Sequence, residues 1–120
     1  MTTKITTLIP SQYLKAALTT FYTAPKAGVL GALTSITAVI DKATATNVDT
    51  VNHNLTLYLV PSGSTADNTN VKIINQVVEP KECIDLYQIV GHALNTGGSV
   101  QVQADIYDLI NIRITGREIS

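Results

Sequence analysis

The stretch Asn54-Leu55-Thr56-Leu57-Tyr58-Leu59-Val60-Pro61 alternates between two kinds of side chain. Its three leucines share one parity, while its threonine, tyrosine and valine share the other. Because successive side chains of a strand point to opposite faces, this pattern predicts a β-strand with its leucine face turned toward a core. The second face also carries large side chains, so we expect a central strand of its sheet.

Two more alternating stretches lie near the C-terminus. In residues 100–106, Val100, Val102 and Ala104 alternate with glutamine and aspartate. In residues 110–119, the isoleucines at 110, 112 and 114 again occupy one parity. Only three residues separate the two stretches, and we therefore predict that they pair as a β-hairpin.

Shorter apolar runs fill the rest of the chain, and polar or glycine-containing segments separate them. The predicted strands are Thr20–Pro25, Val29–Ile40, Val71–Val78 and, with a bulge, Cys83–Val90. The predicted loops and turns are Gly28 to Gly31, Asp41–Asn54, Ser62–Asn70, Pro80–Glu82 and Gly91–Ser99.

The composition supports an all-β fold. Threonine, valine and isoleucine together make up 41 of the 120 residues, and β-branched side chains favour pleated sheets over helices. No amphipathic helix is available to connect parallel strands. We predict an antiparallel β-sandwich or jelly roll of about seven or eight strands, formed by residues 16–120 as a single domain and preceded by an extended N-terminal arm of residues 1–15.

The arm carries apolar side chains that need a partner outside the arm itself. They are Ile5, Leu8, Ile9, Tyr13 and Leu14. One interpretation is that the arm drapes over a neighbouring subunit or a capsid surface, so that these five residues form an interface. The alternative is that the arm supplies an edge strand to its own sandwich.

Charge and targeting signals exclude several classes of function. Eight basic and nine acidic residues give a formal charge of −1 without a basic stripe, which argues against nucleic-acid binding. The first 20 residues contain Lys4 and Lys15 but no long apolar run, and there is no apolar run of 18 residues. We therefore expect no membrane span and synthesis in the host cytoplasm.

Catalytic and metal-binding patterns are weak. His53 and His92 are isolated in the sequence, so an enzyme would need the fold to bring them to acid or nucleophile partners. Cys83 is interpreted as a small, half-buried core residue, and a lone cysteine offers neither a disulfide nor a zinc pair. Asp105 and Asp108 are expected to cap a turn, since a calcium site needs more oxygens. We predict no catalytic residue, metal or cofactor.

The sequence signals for a phosphate-binding loop and for an aromatic sugar-binding surface are equally weak. Gly63, Gly97 and Gly98 are not followed by a helix whose N-terminus would hold a phosphate. Sugar binding usually relies on stacked aromatic rings. The chain has no tryptophan, and its five tyrosines are spread along the sequence.

In the order of several short motifs, the sequence resembles a family of small phage and prophage virion proteins. The motifs are Tyr22-Thr23-Ala24-Pro25, the run Leu55–Gly63, Asp67 with Asn68, and Ile112–Ile119. The resemblance spans residues 18–119, and the polar stretch 41–54 departs from it. It implies a single β-sandwich domain without enzymatic activity that decorates a phage head or accompanies tail and fibre proteins.

The sequence and the resemblance together predict an assembling structural protein. A surface with few charges forms contacts without desolvating many ions. We expect a head decoration (cement) protein located in the virion, binding the major capsid protein or other virion proteins as a homo-oligomer, with a trimer favoured. The alternative is a tail or fibre module that recognises a host surface glycan through the loop Ser62–Asn70.

Overall fold

The computed structural model describes residues 3–25 and 36–119. Within these ranges the chain forms nine β-strands and one short 3-10 helix, in line with the predicted all-β class. The strands are β1 (Thr3–Tyr13), β2 (Thr19–Thr23), β3 (Thr37–Asn47), β4 (His53–Val60), β5 (Val71–Val78), β6 (Cys83–Asp85), β7 (Ala93–Leu94), β8 (Ser99–Ala104) and β9 (Ile110–Ile119). The 3-10 helix covers Tyr87–Ile89.

The strands form two antiparallel sheets that pack face to face as a sandwich. The first sheet, sheet A, has the order β1-β9-β3-β6, and β7 pairs with β3 beside β6. The second, sheet B, has the order β2-β8-β4-β5. The predicted antiparallel sandwich is therefore confirmed, and the described part of the chain has one strand more than the upper estimate.

The core lies between the two sheets and is aliphatic. The three leucines of β4 point into it, with 0–6% of their surface exposed, and β4 lies between β8 and β5. The predicted central strand is therefore confirmed. The three isoleucines of the C-terminal stretch are fully buried on the facing sheet, so the two alternating patterns supply opposite walls of one core.

The polar stretch 41–54 is not the predicted loop. Residues 41–47 continue β3, and β4 already begins at His53. Ala43 and Ala45 face the core, while Thr44 and Thr46 are only partly covered. Alanine and threonine alternate here as an apolar and a polar residue would, but alanine is too small to stand out as a core position. The turn itself covers only residues 48–52.

The predicted hairpin between the last two alternating stretches is also wrong. β8 belongs to sheet B and β9 to sheet A, and residues 105–109 cross between the layers. Both strands bury their apolar faces in the same core from opposite sides. Alternation shows which face of a strand is buried, but it does not identify the strand's partner.

Most of the other predicted elements match in position. β2 and β5 match the predicted strands at 20–25 and 71–78, and residues 61–70 form the predicted loop. The run 83–90 is not a bulged strand, since β6 has three residues and a 3-10 helix follows it. The turn 91–99 contains the short strand β7. The predicted turn at Gly28 and Gly31, and the strand segment 29–35, lie outside the described residues.

The N-terminal segment is the edge strand of sheet A. β1 runs antiparallel to β9, with Thr3 opposite Ile119 and Tyr13 opposite Asn111. The first and last strands of the chain are therefore neighbours. This arrangement corresponds to the alternative in which the arm completes its own sandwich.

Candidate functional site

The five predicted interface residues divide into two groups in the structure. Leu8, Ile9 and Leu14 are core residues of their own domain, with at most 6% of their surface exposed. They cannot contact a neighbouring subunit without unfolding of β1, which corrects that part of the predicted interface. Ile5 and Tyr13 are 83% and 44% exposed, and for them the interface stays a prediction.

A groove of about 540 Å³ opens beside Tyr13, between the end of β1 and β2. Phe21 forms part of its wall and packs against the core with its other side. Lys15 and Asp108 also line the groove, and their side chains form an ion pair at 2.7 Å. The groove thus combines aromatic surface with one cation and one carboxylate that already neutralise each other.

The other side of the sandwich carries a second set of exposed apolar residues. Ile74 and Val77 lie on β5, the edge strand of sheet B, and are 69% and 48% exposed. Tyr87 and Val90 lie in and after the 3-10 helix, and Tyr87 is 74% exposed. We refer to these four residues as the β5 edge, and to Ile5, Tyr13, Leu18 and the groove as the β1 edge.

The two edges lie on opposite sides of the molecule. β1 and β9 are the first pair of sheet A, and β1 also contacts β2, the matching edge of sheet B. At the far side, β5 contacts β3 and the 3-10 helix. Within the described ranges, seven of the nine exposed large apolar side chains therefore lie at these two edges, and the other two, Val51 and Tyr107, lie in the turn 48–52 and the crossover 105–109.

His53 is a buried histidine whose ring lies between two aspartates. It begins β4 and is only 7% exposed. Its Nε2 lies 2.7 Å from Asp49 Oδ2 in the turn before β4, and its Nδ1 lies 3.1 Å from Asp105 Oδ2 just after β8. The other oxygen of Asp105 accepts the Asn54 N–H. The cluster joins the turn 48–52 to the crossover 105–109.

The two carboxylates favour the imidazolium form of His53. The hydrogen bond that His53 donates to Asp49 raises the pKa of His53, with a smaller contribution from Asp105 and against the effect of desolvation. The same bond, together with the Thr50 N–H, lowers the pKa of Asp49. Because both ring nitrogens are engaged, neither is free to take a proton from a substrate. The arrangement is suited to holding two segments together.

Sequence reasoning treated His53 as isolated and missed this cluster. Asp49 lies only four residues away and was visible as a potential partner. Asp105 is 52 residues away, and only the fold brings it to the ring. His92 is exposed and, like Lys72, lines a separate cleft of about 360 Å³.

The positions of three further residues, Cys83, Asp108 and Tyr22, fit structural roles. Cys83 is exposed, which corrects its interpretation as a half-buried core residue, because β6 is an edge strand whose partner covers it on one side only. Asp108 pairs with Lys15. Tyr22 donates a hydrogen bond to Glu118 at 2.6 Å. Burial raises the pKa of Tyr22, and the Glu118 carboxylate raises it further.

The loop 61–70 is ordered by its own side chains. Asp67 Oδ1 accepts the N–H and the hydroxyl of Thr69, which lowers the pKa of Asp67. Asn70 donates its amide to the Thr65 carbonyl and accepts the Asp67 N–H. The loop is therefore a preformed polar tip.

No group of three or more histidine, cysteine, aspartate or glutamate side chains in residues 3–25 and 36–119 is arranged to hold a metal ion. No helix in these ranges has the length and apolar character to span a membrane.

No family model, no curated protein and no solved structure matches the chain.

Proposed function

We propose that this chain is a structural protein of a phage virion that acts as a head decoration protein. It binds the major capsid protein, associates as a homo-oligomer with a trimer favoured, and acts by adhesion without catalysing a reaction. The sequence resemblance supports the virion context. The physical support comes from the surface of the sandwich.

The observation that carries the proposal is the concentration of exposed apolar side chains at the two edges of a weakly charged domain. Only 14% of the residues are charged, yet Ile5, Ile74 and Tyr87 are each more than two thirds exposed. Large apolar side chains that stay exposed on the edge strands of a soluble domain are candidate contacts for other proteins. A decoration protein needs such surfaces toward its shell and toward its own copies, and binding to the assembled shell stabilises it by mass action.

The proposed function is tested by determining whether the chain is part of a phage particle, and on which part of the particle it lies. Particles released from cells that carry the gene are purified on a density gradient, probed with an antibody to this chain and labelled with immunogold. We expect the chain to sediment with filled heads and the gold label to cover the head surface. A chain that stays in the soluble fraction, or a label confined to the tail, would reject the decoration role.

Glycan recognition is a second candidate because the loop 61–70 is preorganised. A polar loop held by its own hydrogen bonds loses little conformational entropy when it binds a ligand. Purified protein on a glycan array tests this function, with Asp67→Ala as the variant that releases the loop. Binding by the wild type and its loss in the variant would favour the tail or fibre role.

A further inference from the structure

We infer that loss of the His53 ring proton detaches Asp105 from the ring and loosens residues 105–108 of the crossover, while the sandwich stays folded. The imidazolium form binds Asp49 of the turn 48–52 and Asp105 of the crossover at once. The neutral form keeps only Asp49. This inference concerns a conformational change within one chain and does not depend on the proposed function.

The hydrogen-bonding capacity of the ring requires a change at this site when the proton leaves. Nε2 lies 2.7 Å from Asp49 Oδ2 and Nδ1 lies 3.1 Å from Asp105 Oδ2, so each ring nitrogen faces a carboxylate oxygen. An imidazolium donates from both nitrogens, whereas a neutral imidazole has one N–H and a lone pair on the other nitrogen. Because ionised carboxylates only accept hydrogen bonds, one of the two contacts then brings two acceptors together.

The contact with Asp105 is the one that breaks. It is the longer of the two, and shorter charge-assisted hydrogen bonds are the stronger ones. Asp49 lies only four residues from His53, and its Oδ1 accepts the Thr50 N–H at 2.7 Å. Asp105 lies 52 residues away, and its Oδ1 accepts the Asn54 N–H at the longer distance of 3.3 Å. The remaining proton of the neutral ring is therefore expected on Nε2.

The charges around the ring act in the same direction. The pKa of His53 is raised above 6.5, first by the hydrogen bond to Asp49 and then by Asp105. Glu79 and Lys81 follow β5, the strand beside His53, and within the described chain neither is among the groups that shift this pKa. Loss of the proton removes the positive charge between two negative ones, and like charges at this distance repel each other.

The released segment contains a residue in an unfavourable conformation. Asp108 has a φ of +59°, which residues other than glycine seldom adopt, and such conformations persist where surrounding contacts hold them. Its N–H donates to the Leu14 carbonyl, and its carboxylate pairs with Lys15 at 2.7 Å. Leu109 stays attached to the turn, since its carbonyl accepts the Val48 N–H at 2.9 Å. The loosening is therefore confined to residues 105–108, and it reaches the groove that Asp108 and Lys15 line.

Asp105→Asn is the most informative variant, because it should reverse the pH dependence. When the amide oxygen accepts the Asn54 N–H, as the carboxylate does now, the amide nitrogen faces His53 Nδ1. An amide N–H donates to the bare Nδ1 of the neutral ring, but it cannot pair with the N–H of the imidazolium. Asp108→Asn is the matched control, since it makes the same substitution in the same crossover at a carboxylate that pairs with Lys15.

NMR titration between pH 5 and pH 10 measures both parts of the inference. The ¹⁵N shifts of the imidazole give the midpoint and the position of the remaining proton, and carbon-detected spectra follow residues 105–108 without relying on exchangeable protons. For the wild type and Asp108→Asn, we expect the signals of residues 105–108 to shift and sharpen as pH rises through the His53 midpoint. Signals of the loop 61–70 should stay constant, because the sandwich remains folded. For Asp105→Asn, we expect the sharpening below the midpoint instead.

Several results would overturn the inference. Residues 105–108 of the wild type might as well be fixed at every pH if they show no change at the His53 midpoint, and a neutral ring protonated at Nδ1 would mean that Asp49 is the residue released. A response of Asp105→Asn in the wild-type direction, or of Asp108→Asn in the reversed direction, contradicts the role of Asp105. Should Asp105→Asn fail to fold, His53→Gln replaces it, and a response that persists without the imidazole refutes the inference.

Discussion

At the scale of single residues, the His53 cluster should make stability depend on pH in two directions. The pKa of His53 is raised from 6.5, so its contribution is complete below pH 6.5 and is lost as pH rises through the higher folded value. The pKa of Asp49 is lowered from 3.8, so its contribution is complete above pH 3.8 and is lost as pH falls through the lower folded value. We therefore expect maximum stability between these limits.

Urea unfolding between pH 6 and pH 9 measures the histidine part of this effect. The wild-type midpoint is expected to fall with rising pH, and His53→Gln is expected to flatten the profile by removing the titrating ring. His92→Gln changes the exposed histidine and should keep the wild-type slope. Parallel slopes for the wild type and His53→Gln would show that the cluster does not couple protonation to folding.

Gly116 allows a second test at this scale. It lies in β9 between β1 and β3, and a Cβ there would overlap the Val39 carbonyl oxygen and lie 3.0 Å from Leu8 Cδ1. Backbone on an adjacent strand cannot yield as a flexible side chain does. Gly116→Ala is therefore expected to lower the free energy of unfolding by about 1–3 kcal/mol, measured by urea denaturation.

Gly63→Asn is the matched control for this substitution. Gly63 has a φ of +78° and open space around its Cβ position, and asparagine tolerates the left-handed region. Because some backbone strain remains at a positive φ even for asparagine, we expect a cost of about 1 kcal/mol at most, which is below the cost at Gly116. Equal effects of the two substitutions would mean that the close approach to Val39 is not what requires glycine at 116.

At the scale of elements, the placement of β1 leads to different expectations for two isoleucines of the same strand. Ile9 is fully buried, whereas Ile5 is 83% exposed. Ile9→Ala is expected to cost about 2–5 kcal/mol through the cavity that it leaves. Ile5→Ala, the control on the same strand, is expected to change stability by less than about 0.5 kcal/mol.

Urea denaturation at low protein concentration gives both values without a contribution from association. Similar small effects of the two substitutions would indicate that β1 is not docked on its own domain. Deletion of residues 1–14 is a less informative experiment, because it removes a whole strand and three core side chains at once. We expect that deletion to prevent folding, whatever the oligomeric state.

The strands that sequence analysis predicted are those whose inward positions carry large side chains. β4 has leucine at 55, 57 and 59, and β9 has isoleucine at 110, 112 and 114, so their buried faces were identifiable. β3 was missed beyond Ile40 because its inward positions are alanines, and the pairing of β8 with β9 was wrong because alternation contains no information on partners. The His53 cluster was missed for the same reason, since one of its carboxylates comes from a distant crossover.

At the scale of the whole molecule, the order of strands ties the two ends of the chain together. β1 is the first strand and pairs with β9, the last, which also pairs with β3 at the middle of sheet A. Sheet A therefore cannot be completed until the C-terminal strand is available. Among the paired long strands of the described chain, β4 and β5 have the shortest connection. The other pairings join segments that are distant in the sequence, and such contacts make folding slow.

The adjacency of the ends predicts that a circular permutant folds. Thr3 and Ile119 are partners in the ladder, and partners in an antiparallel pair lie about 5 Å apart. Ser120, Met1 and Thr2 with two added glycines are long enough to join them. New ends between Ser64 and Thr65 fall in the exposed loop 61–70 and leave the hydrogen bonds between two loop residues within one half or the other.

We expect this permutant to unfold cooperatively, with a stability within about 2 kcal/mol of the wild type, because it keeps every strand pair and replaces a short loop with another. The control permutant opens between Arg113 and Ile114 and cuts β9, which supports neighbours on both sides. That protein should lack a cooperative transition in urea. If both permutants unfolded with the same cooperativity, the central position of β9 would be contradicted. If only the first permutant failed to fold, the hairpin of β4 and β5 would have to be continuous to form.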